Sequence, residues 1–265
     1  MSIKKTEGII LKKIKWSETS NIVTLYSKDF GKLKLLAKGV QRLKSSFSGG
    51  LELFGLIDFV FYKRGKKNLY ILSSSDLVSS YPLIFSSVER YGVASAGIEL
   101  LDKLLAGEEK NEDIYSLLVD FLSKVQDLDK KNLEKFLWAY SLKLLSLLGY
   151  KPRFDECVKC GKRGKSLEAT SSGFLFFSSD LGGIVCPTCA KGDKLYFRLT
   201  RSQLNWIRRV LDSSLDRIEK LELEKREVKN IGDLILDFLS YHAGFGKELK
   251  SLEFLKKISL GKEES

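Results

Sequence analysis

The sequence predicts an α+β multidomain protein with an N-terminal β-barrel, an all-α helical domain and a small insert that binds metal through four cysteines. Three observations lead to this prediction. Residues 1–80 alternate β-forming runs with turn signals, the chain then changes to helical periodicity, and two cysteine pairs interrupt the helices. With 43% hydrophobic and 30% charged residues over 265 positions, the chain has the composition of a folded protein.

Residues 1–80 contain segments rich in Ile, Val, Leu, Phe and Tyr that predict five β-strands. These segments are 7–15, 20–27, 32–38, 51–62 and 68–73. Closing five short strands into a barrel removes the edges that an open sheet would expose. In the third strand, alternation places Leu33, Leu35 and Ala37 on one face. The other face carries Lys32, Lys34 and Lys38.

The excess of positive charge is concentrated in this predicted barrel. The whole chain has a net charge of +11, and residues 1–80 hold 15 Lys and Arg against 6 Asp and Glu, a net of +9. A localised surplus indicates a surface for a polyanion, whereas an even surplus would indicate a lysine-rich solvated surface. Among the basic residues, Trp16, Phe47, Phe61 and Tyr62 are candidates for stacking on bases or for filling the barrel core.

After the barrel, the apolar residues recur at helical spacing. The predicted helices cover 86–105, Ile114 to Val125, Leu133 to Leu148, a segment after Thr200, 226–242 and 248–258. Gly149 is expected to end the third helix, and Thr-Arg-Ser-Gln at Thr200 to Gln203 is a capping box. We therefore expect a nucleic-acid-binding domain at 1–80 and a helical domain made of 81–150 and 196–265, interrupted by an insert at 151–195.

The insert carries two Cys-x-x-Cys pairs, Cys157 with Cys160 and Cys186 with Cys189, separated by 25 residues. Each pair can direct two thiolates at one ion, and two pairs complete a tetrahedral four-sulfur shell. The spacing predicts one structural Zn²⁺, because a closed four-thiolate shell leaves no position for a reacting water. The alternative is two redox pairs or four free thiols.

The sequence offers little evidence of a catalytic site, and we expect that the protein is not an enzyme. The only histidine, His242, ends an apolar helix and has no identifiable nucleophile beside it, so packing or capping is favoured. No phosphate-binding Gly-x-x-x-x-Gly-Lys-[Ser/Thr] loop is present, and the acidic residues within 219–227 alternate with basic ones as on a solvated helix. The absence of a long apolar run and of a signal-peptide pattern predicts an intracellular protein without membrane contact.

Four segments in order resemble the RecO family of bacterial recombination mediators. Glu7-Gly-Ile-Ile-Leu, followed by Trp16-Ser-Glu-Thr-Ser and Leu25-Tyr-Ser, is similar to the family's first hairpin. Lys38-Gly-Val-Gln-Arg is similar to its basic turn, and Leu147-Leu-Gly-Tyr-Lys-Pro before the first cysteine pair to its helix-to-zinc junction. Tyr241-His with Lys250-Ser-Leu-Glu-Phe-Leu resembles its C-terminal signature. The likeness spans almost the whole chain.

The resemblance implies that the barrel is an OB fold and that the protein acts without catalysis in recombinational DNA repair. It implies binding of single- and double-stranded DNA and annealing of strands coated by single-strand-binding protein, together with cooperation with RecR in loading RecA. RecF is a further possible partner, and the implied location is the bacterial cytoplasm, at the nucleoid. The tail of the single-strand-binding protein is acidic and would compete for basic surface.

These considerations give a set of candidate contact residues. The predicted DNA contacts are Lys32, Lys34, Lys38, Arg42, Lys44, Lys63, Arg64, Lys66 and Lys67. The predicted contacts to the tail of the single-strand-binding protein are Arg201, Arg208 and Arg209, which would serve equally as a solvated helix face. Two alternatives stay open: a zinc-containing adaptor whose barrel binds RNA or protein without annealing strands, and a zinc enzyme with an open coordination position.

Overall fold

The computed structural model describes residues 2–40, 47, 51–63, 69–164, 167, 174–191, 196–244 and 249–254. The chain divides into two compact units, Met1–Asp127 and Leu128–Ser265. The predicted helices are therefore distributed over both units, with two in the first and the others in the second. The domain boundaries drawn from the sequence stay a prediction.

The first unit begins with five strands that close into a barrel in the order β1-β2-β3-β5-β4. The strands are β1 (Ser2–Lys15), β2 (Asn21–Ser27), β3 (Gly31–Ala37), β4 (Leu56–Lys63) and β5 (Tyr70–Ser79). β3 and β5 pair in parallel, and all other neighbours are antiparallel. A five-stranded closed barrel with a long first strand shared by β2 and β4 is the OB fold. The predicted fold class is confirmed.

The alternation in β3 produces the barrel core as predicted. Leu33, Leu35 and Ala37 are buried, whereas Lys34 is exposed. In β1 the register shifts between Ile10 and Lys12, which is a β-bulge. A bulge bends its strand, and this bend lets β1 pair first with β4 and later with β2.

Three strand boundaries differ from the prediction. β1 begins at Ser2, five residues before the predicted start at 7, because Ser2 to Thr6 pair with β4. Residues 51–55 precede β4 and form a turn in which Phe54 has a φ of +68°, although its side chain is fully buried. The ring of Phe54 packs against the rings of Phe85 and Tyr91, each at a centroid distance of 5.7 Å. This apolar residue therefore anchors a turn and is not part of a strand. β5 extends to Ser79, beyond the predicted end at 73, because pairing with β4 overrides the weak strand preference of three consecutive serines.

The helices α1 (Val88–Leu104) and α2 (Glu112–Asp127) complete the first unit, after a 3₁₀ turn at Pro82–Ser86. The Ser87 side chain caps α1 by accepting a hydrogen bond from the Arg90 amide. Gly97 lets the two helices approach closely, since a Cβ there would collide with the ring of Phe121. Both helices were predicted.

The second unit contains α3 (Lys130–Leu147), α4 (Arg201–Asp212) and α5 (Lys225–His242), with a 3₁₀ turn at Leu215–Lys220. Residues 250–254 are helical within the predicted last segment. Gly149 follows α3 with a φ of +82°, as expected of the residue that ends a helix. The Thr200 and Gln203 side chains form the predicted capping box of α4.

A three-stranded antiparallel sheet, in the order β7-β6-β8, lies between α3 and α4 in sequence. Its strands are β6 (Phe174–Ser178), β7 (Gly183–Val185) and β8 (Phe197–Thr200). These strands are absent from the prediction, because each is short and two of them adjoin cysteines or glycines that dominate the local sequence pattern. The sheet positions the cysteine site.

Candidate nucleic-acid interface and metal site

Two of the predicted DNA-contacting lysines lie exposed on the outer face of the barrel. Lys34 lies in β3 opposite Thr24 of β2, and Lys38 follows the last residue of β3. Within the described part of the chain, neither ammonium group has an ion-pair partner. Both are therefore available to a phosphate.

Lys32, on the same face of β3, is held by the fold. Its ammonium donates to the backbone oxygen of Asp102 at 2.6 Å and to the Asp102 carboxylate at 3.1 Å. The Lys32 side chain is only 14% exposed. A phosphate would have to compete with Asp102 for this lysine.

Lys63 is also engaged, by Glu108. Its ammonium donates to the Glu108 carboxylate at 2.8 Å, and the Tyr70 hydroxyl donates to the same carboxylate at 2.6 Å. Burial alone would raise the pKa of Glu108, but these hydrogen bonds outweigh burial and lower the pKa below 4.5. Burial and the bond to Glu108 raise the pKa of Tyr70 to about 12.

The other predicted DNA contacts, Arg42, Lys44, Arg64, Lys66 and Lys67, lie outside the described residues. Their assignment stays a prediction. The prediction omitted a further basic group at the end of β1, where Lys12, Lys13 and Lys15 are exposed. Thr24 of β2 pairs with Lys12 of β1 on one side and with Lys34 of β3 on the other, so the two lysines lie on either side of Thr24. The run Lys12-Lys-Ile-Lys before Trp16 was the available signal.

The aromatic candidates divide between core and surface. Phe61 is fully buried and Phe47 is 7% exposed, so both fill the barrel. Trp16 is 64% exposed, and Tyr62 is partly exposed on β4. Trp16 and Tyr62 therefore remain candidates for contact with bases.

The four cysteines converge as predicted. Their sulfur atoms all lie within 4.8 Å of one another, and the Sγ atoms of Cys160 and Cys186 are 3.8 Å apart. A tetrahedral shell with metal–sulfur bonds of about 2.3 Å separates its sulfurs by about 3.8 Å. The four thiols could therefore hold one metal ion, and the donor set fits a thiophilic metal.

Backbone amides prepare Cys157 to be a thiolate. Burial raises the pKa of its thiol, but hydrogen bonds from the amides of Cys186, Cys160 and Lys159 and from the Cys160 thiol lower the pKa to about 6. The Cys186 amide donates to the Cys157 sulfur at 3.3 Å. A thiolate is the form that binds metal.

The sheet holds the first cysteine pair against the second. The Val158 amide donates to the Ile184 carbonyl, and the Ile184 amide donates to the Arg153 carbonyl, each at 2.9 Å. Gly183 allows this close approach, because a Cβ there would lie 2.5 Å from the Val158 side chain. The first pair is therefore attached to β7, and the last residue of β7, Val185, directly precedes Cys186 of the second pair.

The three arginines predicted to contact a protein partner lie on α4. Arg201 and Arg209 are exposed. Arg208 is half-buried, and its guanidinium donates to the Phe154 carbonyl at 2.9 Å and lies 3.6 Å from the Asp155 carboxylate. Arg208 thus joins α4 to the segment before the first cysteine pair.

His242 has a packing role in the structure. Its Nε2 lies 2.7 Å from the Ser179 carbonyl oxygen, and its ring packs on Phe238 at a centroid distance of 4.3 Å. These contacts join the end of α5 to the turn between β6 and β7, which is a packing role.

The sequence matches two family models in succession. Residues 1–81 match the model described as recombination protein O N terminal, and residues 86–253 match recombination protein O C terminal. The chain belongs to the RecO family. The predicted resemblance is confirmed, and the chain is a DNA repair protein of that family.

Full-length relatives support the same assignment. The chain is 30% identical over 259 residues to "DNA repair protein RecO" of Caldanaerobacter subterraneus subsp. tengcongensis, covering 98% of this chain and 100% of the relative. It is 32% identical to the protein of that name from Pelotomaculum thermopropionicum, covering 97% and 95% of the two chains. The RecO protein of Desulfatibacillum aliphaticivorans is 33% identical, with 96% of each chain covered.

Among the residues that the structure describes, no helix has the length and apolar character needed to cross a bilayer.

Proposed function

We propose that the protein is a non-catalytic recombination mediator that binds single- and double-stranded DNA through its OB barrel. In this role it anneals complementary strands coated by single-strand-binding protein and acts with RecR, and optionally RecF, to load RecA at the nucleoid. The observation that carries the proposal is the exposed basic face of the barrel, formed by Lys12, Lys34 and Lys38. OB folds bind nucleic-acid strands on this side of the barrel.

Annealing by this route needs no nucleotide and no catalytic group. Two strands repel each other through their phosphates, and a basic surface that holds both lowers this repulsion by neutralising part of their charge. Counterion release favours the binding of each strand to that surface. Base pairing then supplies the driving free energy. The packing of His242 against Ser179 and Phe238 is consistent with the absence of a catalytic role for the single histidine.

We also propose that the cysteine site holds one structural Zn²⁺. The ion would be bound by Cys157, Cys160, Cys186 and Cys189, whose sulfur spacing suits a tetrahedral shell. When bound, zinc would supply a rigid crosslink between the two cysteine pairs and no chemistry. This property argues against the zinc-enzyme alternative, because a four-thiolate shell has no open position.

For the acidic tail of the single-strand-binding protein, we propose a contact at Arg201 and Arg209 of α4, which are exposed. A groove of about 510 Å³ is lined by Arg208 and Arg209 together with Asp212 and Glu222. The two acidic side chains would oppose an acidic peptide inside the groove. The proposed contact is therefore with the exposed guanidinium groups of α4 and not with the interior of the groove.

The test of the mediator function is annealing without ATP of complementary dye-labelled oligonucleotides coated with single-strand-binding protein. We expect the protein to accelerate annealing and added salt to weaken the effect. A K34E/K38E variant should lose most of the acceleration, whereas K220E/K229E, which changes the net charge equally on exposed lysines of the second unit, should keep it.

The same pair of variants should differ in the salt dependence of single-strand binding. Five engaged phosphates predict a log–log slope near about −3.5, and each lost contact should reduce its magnitude by about 0.7. A charge reversal at Lys38 with Arg42 should weaken binding to all base sequences alike. Preference for structured RNA over single-stranded DNA, or zinc-loaded protein that does not anneal strands, would favour the adaptor alternative.

A further inference from the structure

A continuous row of apolar side chains runs around the outside of the closed barrel, with at least one member on every strand. The strand register places neighbouring members side by side, so that each pairs with the next around the sheet. We call this set the apolar row, and in order around the barrel its members are Ile14, Ile22, Leu36, Ile71, Tyr62 and Ile3. β1 contributes both ends, because it pairs with β2 near its end and with β4 near its start.

The apolar row points away from the barrel core. Its neighbours along the strands, such as Val23, Leu35 and Phe61, are fully buried, as alternation requires. Ile3 is 66% exposed and Ile14 is 46% exposed. A row of this extent on a water-facing surface costs free energy unless a partner covers it, and such a surface indicates a binding site.

Positive charge flanks the apolar row on β3 and at the end of β1. On β3, Lys34 precedes Leu36 by two residues and Lys38 follows it by two, a spacing of about 7 Å in each direction. On β1, Lys12 precedes Ile14 by two residues, and the exposed indole of Trp16 follows it by two. The surface thus joins a strip of apolar contact to flanking ammonium groups.

This combination fits a single nucleic-acid strand better than a protein segment. An unpaired strand offers flat apolar bases together with a continuous row of phosphates, and it needs both kinds of contact at once. An acidic peptide would supply charge at intervals but no regular series of flat apolar groups. A duplex keeps its bases stacked inside and could use only the lysines.

We propose that the part of the apolar row beside these lysines, from Ile14 through Ile22 and Leu36 to Ile71, is a platform for the bases of a single strand, with Trp16 stacking at its end and Lys12, Lys34 and Lys38 holding phosphates. The inference rests on the proposed DNA-binding function and adds how the barrel distinguishes an unpaired strand from a duplex. The lysines attract either form, and the apolar row discriminates between them.

The experiment compares three probes by equilibrium binding: a thymidine oligonucleotide, an abasic oligonucleotide of the same length and a hairpin duplex. We expect the protein to bind the thymidine strand about tenfold more tightly than the abasic strand. An I14S/I71S variant should reduce this ratio to near unity and leave duplex and abasic affinities unchanged. Leu83→Ser is the matched control, since Leu83 is 49% exposed but lies outside the apolar row.

Trp16 provides a second readout. The chain has three tryptophans, and Trp138 and Trp206 are 4% and 3% exposed, so added strands can quench only Trp16 directly. Quenching by the thymidine strand and not by the abasic strand would support stacking. Equal affinity of the unaltered protein for both strands would overturn the inference while leaving DNA binding intact, and failure to bind any probe would instead remove the proposed function.

A protein occupant would give a different result. In that case I14S/I71S would retain the preference for thymidine over abasic DNA and would lose affinity for purified RecR. This outcome would overturn the base-platform proposal and assign the apolar row to protein contact.

Discussion

Lys32 and Asp102 form a two-point contact in which the lysine ammonium donates to both the backbone carbonyl and the carboxylate of the aspartate. The contact joins β3 of the barrel to the last turn of α1, within one compact unit. Lys34, two residues away on the same face, makes no such contact among the described residues. Within β3, therefore, Lys32 is bound to α1 and Lys34 faces solvent.

This difference predicts separate consequences for two like substitutions. Lys32→Met should lower the free energy of unfolding by about 1–2 kcal/mol, because it removes a charged hydrogen bond and leaves a carbonyl without its donor. Lys34→Met should leave stability within about 0.5 kcal/mol and should weaken DNA binding. Denaturant unfolding and fluorescence-anisotropy titration of both variants measure the two effects. Equal losses of stability would contradict the assignment.

The hydrogen bonds from Lys63 and Tyr70 to Glu108 predict a pH dependence of stability. Because they lower the folded-state pKa of Glu108 below 4.5, the unfolded chain takes up a proton first as the pH falls. The stabilisation is complete above pH 4.5 and is lost as the pH falls through the folded-state pKa of Glu108. Glu108→Gln should flatten this part of the curve, measured by urea unfolding from about pH 6 to about pH 3. An unaltered pH profile would remove Glu108 from this role.

Metal removal should affect the two units differently. A chelator should release one metal ion per chain and destabilise β6, β7 and the cysteine loops, whereas the barrel amides should keep their protection from hydrogen exchange. Cobalt substitution should give the absorption of a tetrahedral four-thiolate site, and Cys160→Ser should shift it. A cobalt spectrum with fewer than four thiolates would contradict the closed shell.

In the second unit, the close contact of α5 with α3 depends on Gly232. A Cβ at this position would lie 2.5 Å from the Trp138 indole, which is itself buried. Gly232→Ala should therefore cost about 1–3 kcal/mol of unfolding free energy, despite the higher helix propensity of alanine. Gly107→Ala, where a Cβ meets no atom within 4 Å, is the control and should be nearly neutral in thermal unfolding.

Local patterns predicted the parts of the fold that local chemistry determines. The alternation of Leu33, Lys34 and Leu35 and the capping residues Thr200 and Gln203 specify their conformations within a few residues. The cysteine spacing likewise predicted the convergence of four sulfurs. In each case the interacting groups are close in sequence or belong to a recurrent motif.

Local sequence patterns could not predict the contacts between residues that are far apart in the chain. Phe54 has the apolar character of a strand residue, but distant contacts hold it in a turn: its amide donates to the Ile10 carbonyl, and its ring packs on Phe85 and Tyr91. The engagement of Lys32 by Asp102 depends on a residue 70 positions away. The apolar row depends on the register of every strand pair in the barrel, which no single segment reveals.

The insertion of the cysteine site between α3 and α4 has a kinetic consequence. α3 ends at Leu147 and α4 begins at Arg201, so the chain must close a long loop before these packed helices meet. A metal bound by both cysteine pairs shortens the free part of that loop and lowers its closure entropy. Refolding should therefore be faster when metal is present from the start, with the ion acting as an early tether for helices that it never touches.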